Sequence, residues 1–232
     1  MAVTARPYVL LSAAMSIDGY LDDSSGARLM LSNEADFDRV DEVRAGVDAI
    51  LVGATTIRRD NPRLLIRSAD RQQQRIRRGM AAHPMKVTLT GSGDLDATAR
   101  FFTSGGSEKL VYARDTAVPA SRRALGNVAT VVAAGEPINL VAVLDDLGRR
   151  KVERLMVEGG GTVHTQFLSA GLVDEIQVVI APFFVGDPAA PRFVHPGRFP
   201  QDVQRPLTLA ETRQMGGVVL LRYLACSGSG TQ

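Results

Sequence analysis

The chain has 232 residues, with 27 Lys+Arg against 25 Asp+Glu and a formal charge of only +2. That length carries a full core without disulfide or metal staples, and 45% hydrophobic with 22% charged residues is a globular composition rather than a disordered one. The near-balanced charge removes the electrostatic case for a nucleic-acid binder, which wants a pronounced basic surplus.

Cys226 is the only cysteine, so no intrachain disulfide or thiolate metal cluster is available. His83, His164 and His195 match no metal-ligand spacing, so no metal site is expected. The N-terminal apolar run follows Pro7 and is soon interrupted by Asp18. It is too short for a signal peptide and reads as a first strand, 8–13. No stretch reaches transmembrane length, so a cytoplasmic protein without a membrane partner is expected.

Along the chain, AMSIDGY (14–20) reads as a turn at Asp18-Gly19. In SNEADFDRVDEVRAG, Phe37, Val40 and Val43 are spaced on one helical face, with Ser32 or Asn33 to cap the start and Gly46 to end it. A strand at 49–52 then runs into VGATTIRRDNPRLLIR, where a short helical turn carries Thr55 and Thr56 and Asp60-Asn61-Pro62 stops it. Residues 67–84 hold five arginines and few apolar residues, and read as a solvated loop.

Further strands are expected at 87–89, 110–112, 128–132, 155–157 and 176–181, with helices at 138–149 and 162–170. Unbroken Val/Ile/Leu runs suit strands buried on both faces. Their alternation with helices predicts one α/β domain with a mostly parallel central sheet flanked by helices. LTLAETRQMGGVVLLRYLA (207–225) reads as an antiparallel hairpin turning at Gly216-Gly217, followed by a flexible tail, 226–232.

The densest chemistry is LMVEGGGTVHTQFL, residues 155–168. A buried strand ends at Glu158, and Gly159-Gly160-Gly161 leads into a helix at Thr162. Such glycines permit close backbone approach, and a helix N-terminus suits phosphate; a tight strand-to-helix turn is the plain alternative. Arg44, at the end of its helix, is either an anion contact or a cation placed on the helix dipole.

Together RPYVLLSAAMSIDG, VRAGVDAILVGATTIRRDNPRL, LMVEGGGTVHTQFLSAGLVDEI and the following IAP resemble the RibD C-terminal family of riboflavin-biosynthesis reductases. The resemblance spans residues 6–225, and the stand-alone diaminohydroxyphosphoribosylaminopyrimidine reductases are the type it most resembles. It implies a single dihydrofolate reductase-like domain and a homodimer. The activity it implies is NADPH-dependent reduction of a phosphorylated pyrimidine, its ribosylamino group becoming ribitylamino by hydride transfer to C1′.

By the same resemblance, Glu158 is the catalytic group and also meets substrate, while Arg44, Leu64 and Arg67 bind substrate with the arginines on its 5′-phosphate. Thr56, Asp60, Gly159, Gly160, Gly161, Thr162, Val163, His164, Thr165 and Gln166 hold NADPH. Ser12, Tyr20, Met30 and Gly91 depart from the family's usual residues. Those departures motivate two other readings, a dihydrofolate reductase-like pterin reductase and a non-catalytic nucleotide-binding relative.

Overall fold

The computed structural model describes residues 6–27 and 29–225; the expected tail, 226–232, lies outside them. In chain order they form β1 (Tyr8–Ser16), α1 (Glu34–Ala45), β2 (Ala49–Gly53), α2 (Ala54–Asp60), α3 (Ala69–Arg77), β3 (Met85–Thr90), α4 (Arg100–Thr103), β4 (Lys109–Ala113), α5 (Val118–Leu125), β5 (Thr130–Ala133), α6 (Leu140–Arg149), β6 (Arg154–Gly159), α7 (Gly161–Ser169), β7 (Glu175–Ala181), β8 (Thr208–Met215) and β9 (Val218–Leu224). The architecture is α/β with mostly parallel strands and a closing antiparallel β8–β9 hairpin, as the patterning predicts.

The chain resolves into two compact units. Among the described residues, one comprises residues 6–7 with Asp38–Glu158; the other comprises residues between Tyr8 and Phe37 with those from Gly159 to 225.

In the first unit the strands follow the order β5-β4-β3-β2-β6. β2, β3, β4 and β5 pair in parallel, with Gly53 opposite Leu89 and Thr90 opposite Ala113. All five residues of β2 are buried, as a run of Ala, Ile, Leu, Val and Gly between two neighbours requires. Asp48 accepts the amides of Glu153 and Arg154 at 2.9 Å each, so β2 and β6 begin side by side. Their carboxyl ends, at Gly53 and Glu158, are where ligands bind in open α/β sheets.

The arginine-rich stretch expected as a loop is instead built around a helix, α3. Apolar periodicity is absent there because polar anchors hold the helix. Ser68 caps it, accepting the Arg71 amide, and Asp41 accepts the amides of Arg67 and Ser68. Arg75 is buried and donates to the carbonyls of Ala45, Val47 and Ala81. Its guanidinium thereby closes the C-terminal end of α1.

In the second unit the order is β1-β7-β9-β8, with β1 and β7 parallel and β7-β9 and β8-β9 antiparallel. Val179, Met215, Val218 and Leu220 form a small core beneath the hairpin. Asn33 donates to the Met215 carbonyl at 2.7 Å and accepts the Asp36 amide, so one residue both caps α1 and anchors the hairpin.

Lys86 is a charged exception in the first unit's core. It is fully buried in β3, and its ammonium donates to the carbonyls of Phe101 at 3.0 Å and Ser104 at 2.7 Å. Burial, with lesser repulsion from Lys109 and Arg44, lowers its pKa from 10.5 to about 8. Between those pH values the unfolded chain holds a proton on this residue that the folded chain has released, so its contribution to stability rises with pH. Denaturant titrations of wild type and Lys86→Met should therefore diverge, with wild type gaining relative stability from about pH 8 to 10.5. Parallel curves would contradict this placement.

Candidate functional site

Glu158 ends the buried segment Leu155–Val157 and is itself only partly exposed. Arg44, in the last turn of α1, grips it with both arms of its guanidinium. Nε donates to one carboxylate oxygen at 2.7 Å and Nη2 to the other at 2.6 Å. Nη1 donates to the Leu65 carbonyl at 3.1 Å, which ties the segment after α2 to the same cation. Side-chain exposures of 19% and 15% keep the pair out of bulk water. Burial acts against the arginine's charge, and the Glu158 carboxylate outweighs it, leaving the guanidinium pKa raised.

Two of the other expected substrate residues flank this pair in sequence. Leu64 is buried in the left-handed backbone region, at φ 50°, a conformation that costs a non-glycine residue about 1 kcal/mol or more. Arg67 is exposed and its amide is fixed by Asp41. Asp41 lies three residues before Arg44, so one helix face carries the acid that positions Arg67 and the base that positions Glu158. Thr56 is half-buried on α2 and Asp60 is exposed at its end. Asn61 stops the helix as expected, in the left-handed region with its amide on the Ile57 carbonyl.

The second unit supplies the glycine turn. Gly159 has φ 129°, open to glycine alone, and its bond to Gly160 is cis. Gly160 heads α7 without a side-chain cap, and no acidic residue stands in the first turn. An uncapped helix start free of carboxylates fits an anionic group such as a dinucleotide pyrophosphate.

Not every residue of the expected loop can meet a ligand through its side chain. Thr162 and Gln166 are exposed and Thr165 is half-buried, whereas Val163 and His164 are buried. His164 shares a hydrogen bond with the Phe193 carbonyl through Nδ1 at 3.2 Å. Its Nε2 has no partner and stands 3.5 Å from where a Cβ on Gly159 would lie.

Gly161 is explained differently: a Cβ there would sit 2.0 Å from the Arg192 carbonyl oxygen. Residues 191–195 thus pass directly over the start of α7. Arg192 holds them in place, donating to the Tyr20 hydroxyl at 2.6 Å with its guanidinium 4.5 Å over the Tyr20 ring. The His195 amide donates to Thr165 at 2.8 Å.

The RibD C-terminal domain family matches residues 7–221. The chain belongs to that family. It is 38% identical to the 2,5-diamino-6-ribosylamino-4(3H)-pyrimidinone 5′-phosphate reductase of Archaeoglobus fulgidus over 187 residues, 80% of this chain and 85% of that one. Among solved structures, a pyrimidine reductase-like protein of Corynebacterium diphtheriae shares the fold at TM-score 0.80 and 24% identity, covering 95% of this chain and 92% of that one. Dihydrofolate reductase of Enterococcus faecalis superposes at TM-score 0.50 and 11% identity, covering 95% and 97%. The fold is therefore dihydrofolate reductase-like, as the motifs led one to expect.

Within this RibD C-terminal domain, spacing alone missed residues 191–195. PRFVHPG has neither period nor motif; the one usable signal is an arginine and a histidine between prolines on a long connection.

Burial drives the His164 pKa down to about 4, opposed only by its bond to Phe193. The unfolded chain protonates this histidine first, so its contribution to stability is full above about pH 6.5 and shrinks as pH falls toward 4. Stability measured against His164→Leu should show that loss for wild type alone, and the His164 imidazole NMR signals, recognised by their absence from the variant, should not titrate between pH 5.5 and 8. A midpoint near 6.5 would overturn the buried placement.

Proposed function

We propose that the chain is an NADPH-dependent reductase of riboflavin biosynthesis. It converts the ribosylamino group of a pyrimidine 5′-phosphate to ribitylamino. The observation that carries this reading is the Arg44–Glu158 pair at the carboxyl end of β6, immediately followed by an uncapped glycine turn. The relative from Archaeoglobus fulgidus, covered over most of both chains, carries the corresponding reductase name and favours the diamino, undeaminated substrate. The same reading makes the protein cytoplasmic and homodimeric.

NADPH, when bound, supplies the hydride that the sugar's C1′ accepts. The chain's residues bind and orient. Backbone amides at the start of α7, with Thr162, Thr165 and Gln166, hold the cofactor's phosphates and ribose, and Thr56 and Asp60 hold its remaining length. Val163 and His164 support that surface from beneath.

Both oxygens of Glu158 accept from Arg44, and each keeps a further lone pair for a sugar hydroxyl or the exocyclic N–H. Its task is to hold the opened sugar with C1′ facing the hydride. Arg67, exposed and fixed through its backbone, receives the 5′-phosphate. Arg44 supports that site chiefly through Glu158.

A phosphate-free pterin gives Arg67 nothing to bind, which separates the two enzymatic readings. The protein should oxidise NADPH with the diaminopyrimidine ribotide and leave dihydrofolate untouched. Glu158→Ala should lower kcat by about a hundredfold or more, whereas Arg67→Ala should raise the ribotide KM at least tenfold. Failure to turn over either the diamino or the deaminated ribotide would sink the proposal. Cofactor binding without turnover would favour the non-catalytic relative.

A further inference from the structure

The segment that carries Leu64 and Arg67 is held residue by residue, and one of its anchors has no part in the reading above. The Leu65 carbonyl accepts from Arg44, the Ile66 carbonyl accepts from the Gln72 side chain at 2.9 Å, and the Arg67 amide donates to Asp41. The remaining anchor is His83, whose Nδ1 accepts the Ile66 amide at 3.3 Å. Ile66 is only 1% exposed, so its amide would go unpaired beside an apolar core without that acceptor.

The bond requires one state of the ring. Nδ1 accepts only when the imidazole is neutral and carries its proton on Nε2. A Cβ on Gly105 would stand 2.7 Å from Leu65 Cδ2 and 3.3 Å from His83 Cδ2, so this glycine lets segment and ring pack against the same backbone. Three charged groups bear on the ring: Lys86 on β3, Arg75 on α3 and Asp41 on α1. Burial first, then the two cations, lower its pKa from 6.5, and Asp41 opposes them. Near pH 7 the ring is an acceptor. Once protonated, it turns an N–H toward the N–H of Ile66. Arg44 and Gln72 remain donors throughout, so they do not switch in this way.

Leu64 makes the anchor matter. Its left-handed backbone is unfavourable for leucine, so the segment keeps its course only while the bonds that follow hold it. Ile66 lies between that strained residue and Arg67. We propose that His83 is the positioning residue of the phosphate-binding segment: as a neutral acceptor it holds Ile66 so that Arg67 meets the substrate's 5′-phosphate, and on protonation it releases that hold. The inference rests on the substrate reading above and adds the group that ties phosphate affinity to pH.

Ribotide kinetics of wild type, His83→Asn and His83→Leu between pH 5 and 8 test it. Asparagine sets an oxygen acceptor near the place of Nδ1 and does not titrate, whereas leucine offers no acceptor. The substrate phosphate's own titration is common to all three and cancels in their ratios. At pH 7.5, His83→Leu should raise KM about tenfold with kcat within about twofold, and His83→Asn should keep the wild-type KM. As pH falls, the wild-type KM should climb away from the asparagine variant toward the leucine one. The Ile66 amide NMR signal should move with a midpoint below 6.5 in wild type and stay still in His83→Asn. If the leucine variant does not fold, the ratio of wild type to asparagine across pH still decides. A constant ratio, or a loss confined to kcat, overturns the positioning role and leaves the substrate reading standing. If wild type turns over neither the diamino nor the deaminated ribotide, both fall.

Discussion

A half-buried carboxylate at the end of a β-strand is best tolerated beside a cation that cannot leave. Arg44 fills that place for Glu158, and the dependence is mutual, because each charge would be costly in its surroundings without the other. The consequence reaches past the pair. A guanidinium is a rigid fork, so two bonds to Glu158 and one to the Leu65 carbonyl fix the end of α1, the end of β6 and the segment after α2 together. One turn earlier Asp41 fixes Arg67, Ser68 and Arg71. A single helix thus organises the first unit's share of the proposed chemistry.

The second unit solves a different problem, that of keeping a helix start open. Among the described residues no side chain caps α7, yet the turn is closely packed. Two of its glycines are needed for separate reasons. Gly159 adopts a backbone conformation other residues avoid, and Gly161 makes room for the carbonyl of Arg192. His164 sits beneath them as a neutral spacer tied to Phe193. The amides that would meet phosphate are positioned by groups that never touch it.

Much of this was legible in the sequence. Apolar runs located the strands, and Asn61 and the glycine triplet marked their turns, because those signals are local. The EGGGT and DNP segments led to the family for the same reason. What stayed hidden was non-local or polar. The bond between Arg44 and Glu158 joins residues 114 apart, and no spacing rule reaches that far. The helix α3 hides because its stability comes from Ser68, Asp41 and Arg75 bonding to backbone rather than from an apolar stripe. His164 looked like one more residue of a binding loop until its burial separated it from Thr162 and Gln166.

In the proposed reaction Glu158, held by Arg44, presents C1′ of an opened sugar to a hydride from the nicotinamide. Single-turnover reaction of the diaminopyrimidine ribotide with C4-deuterated NADPH, followed by mass spectrometry of the product, tests it most directly. One deuterium is expected, located at C1′ of a ribityl chain, with the pyrimidine ring unlabelled. Deuterium in the ring, or an unlabelled sugar in a reaction that consumes NADPH, would contradict it.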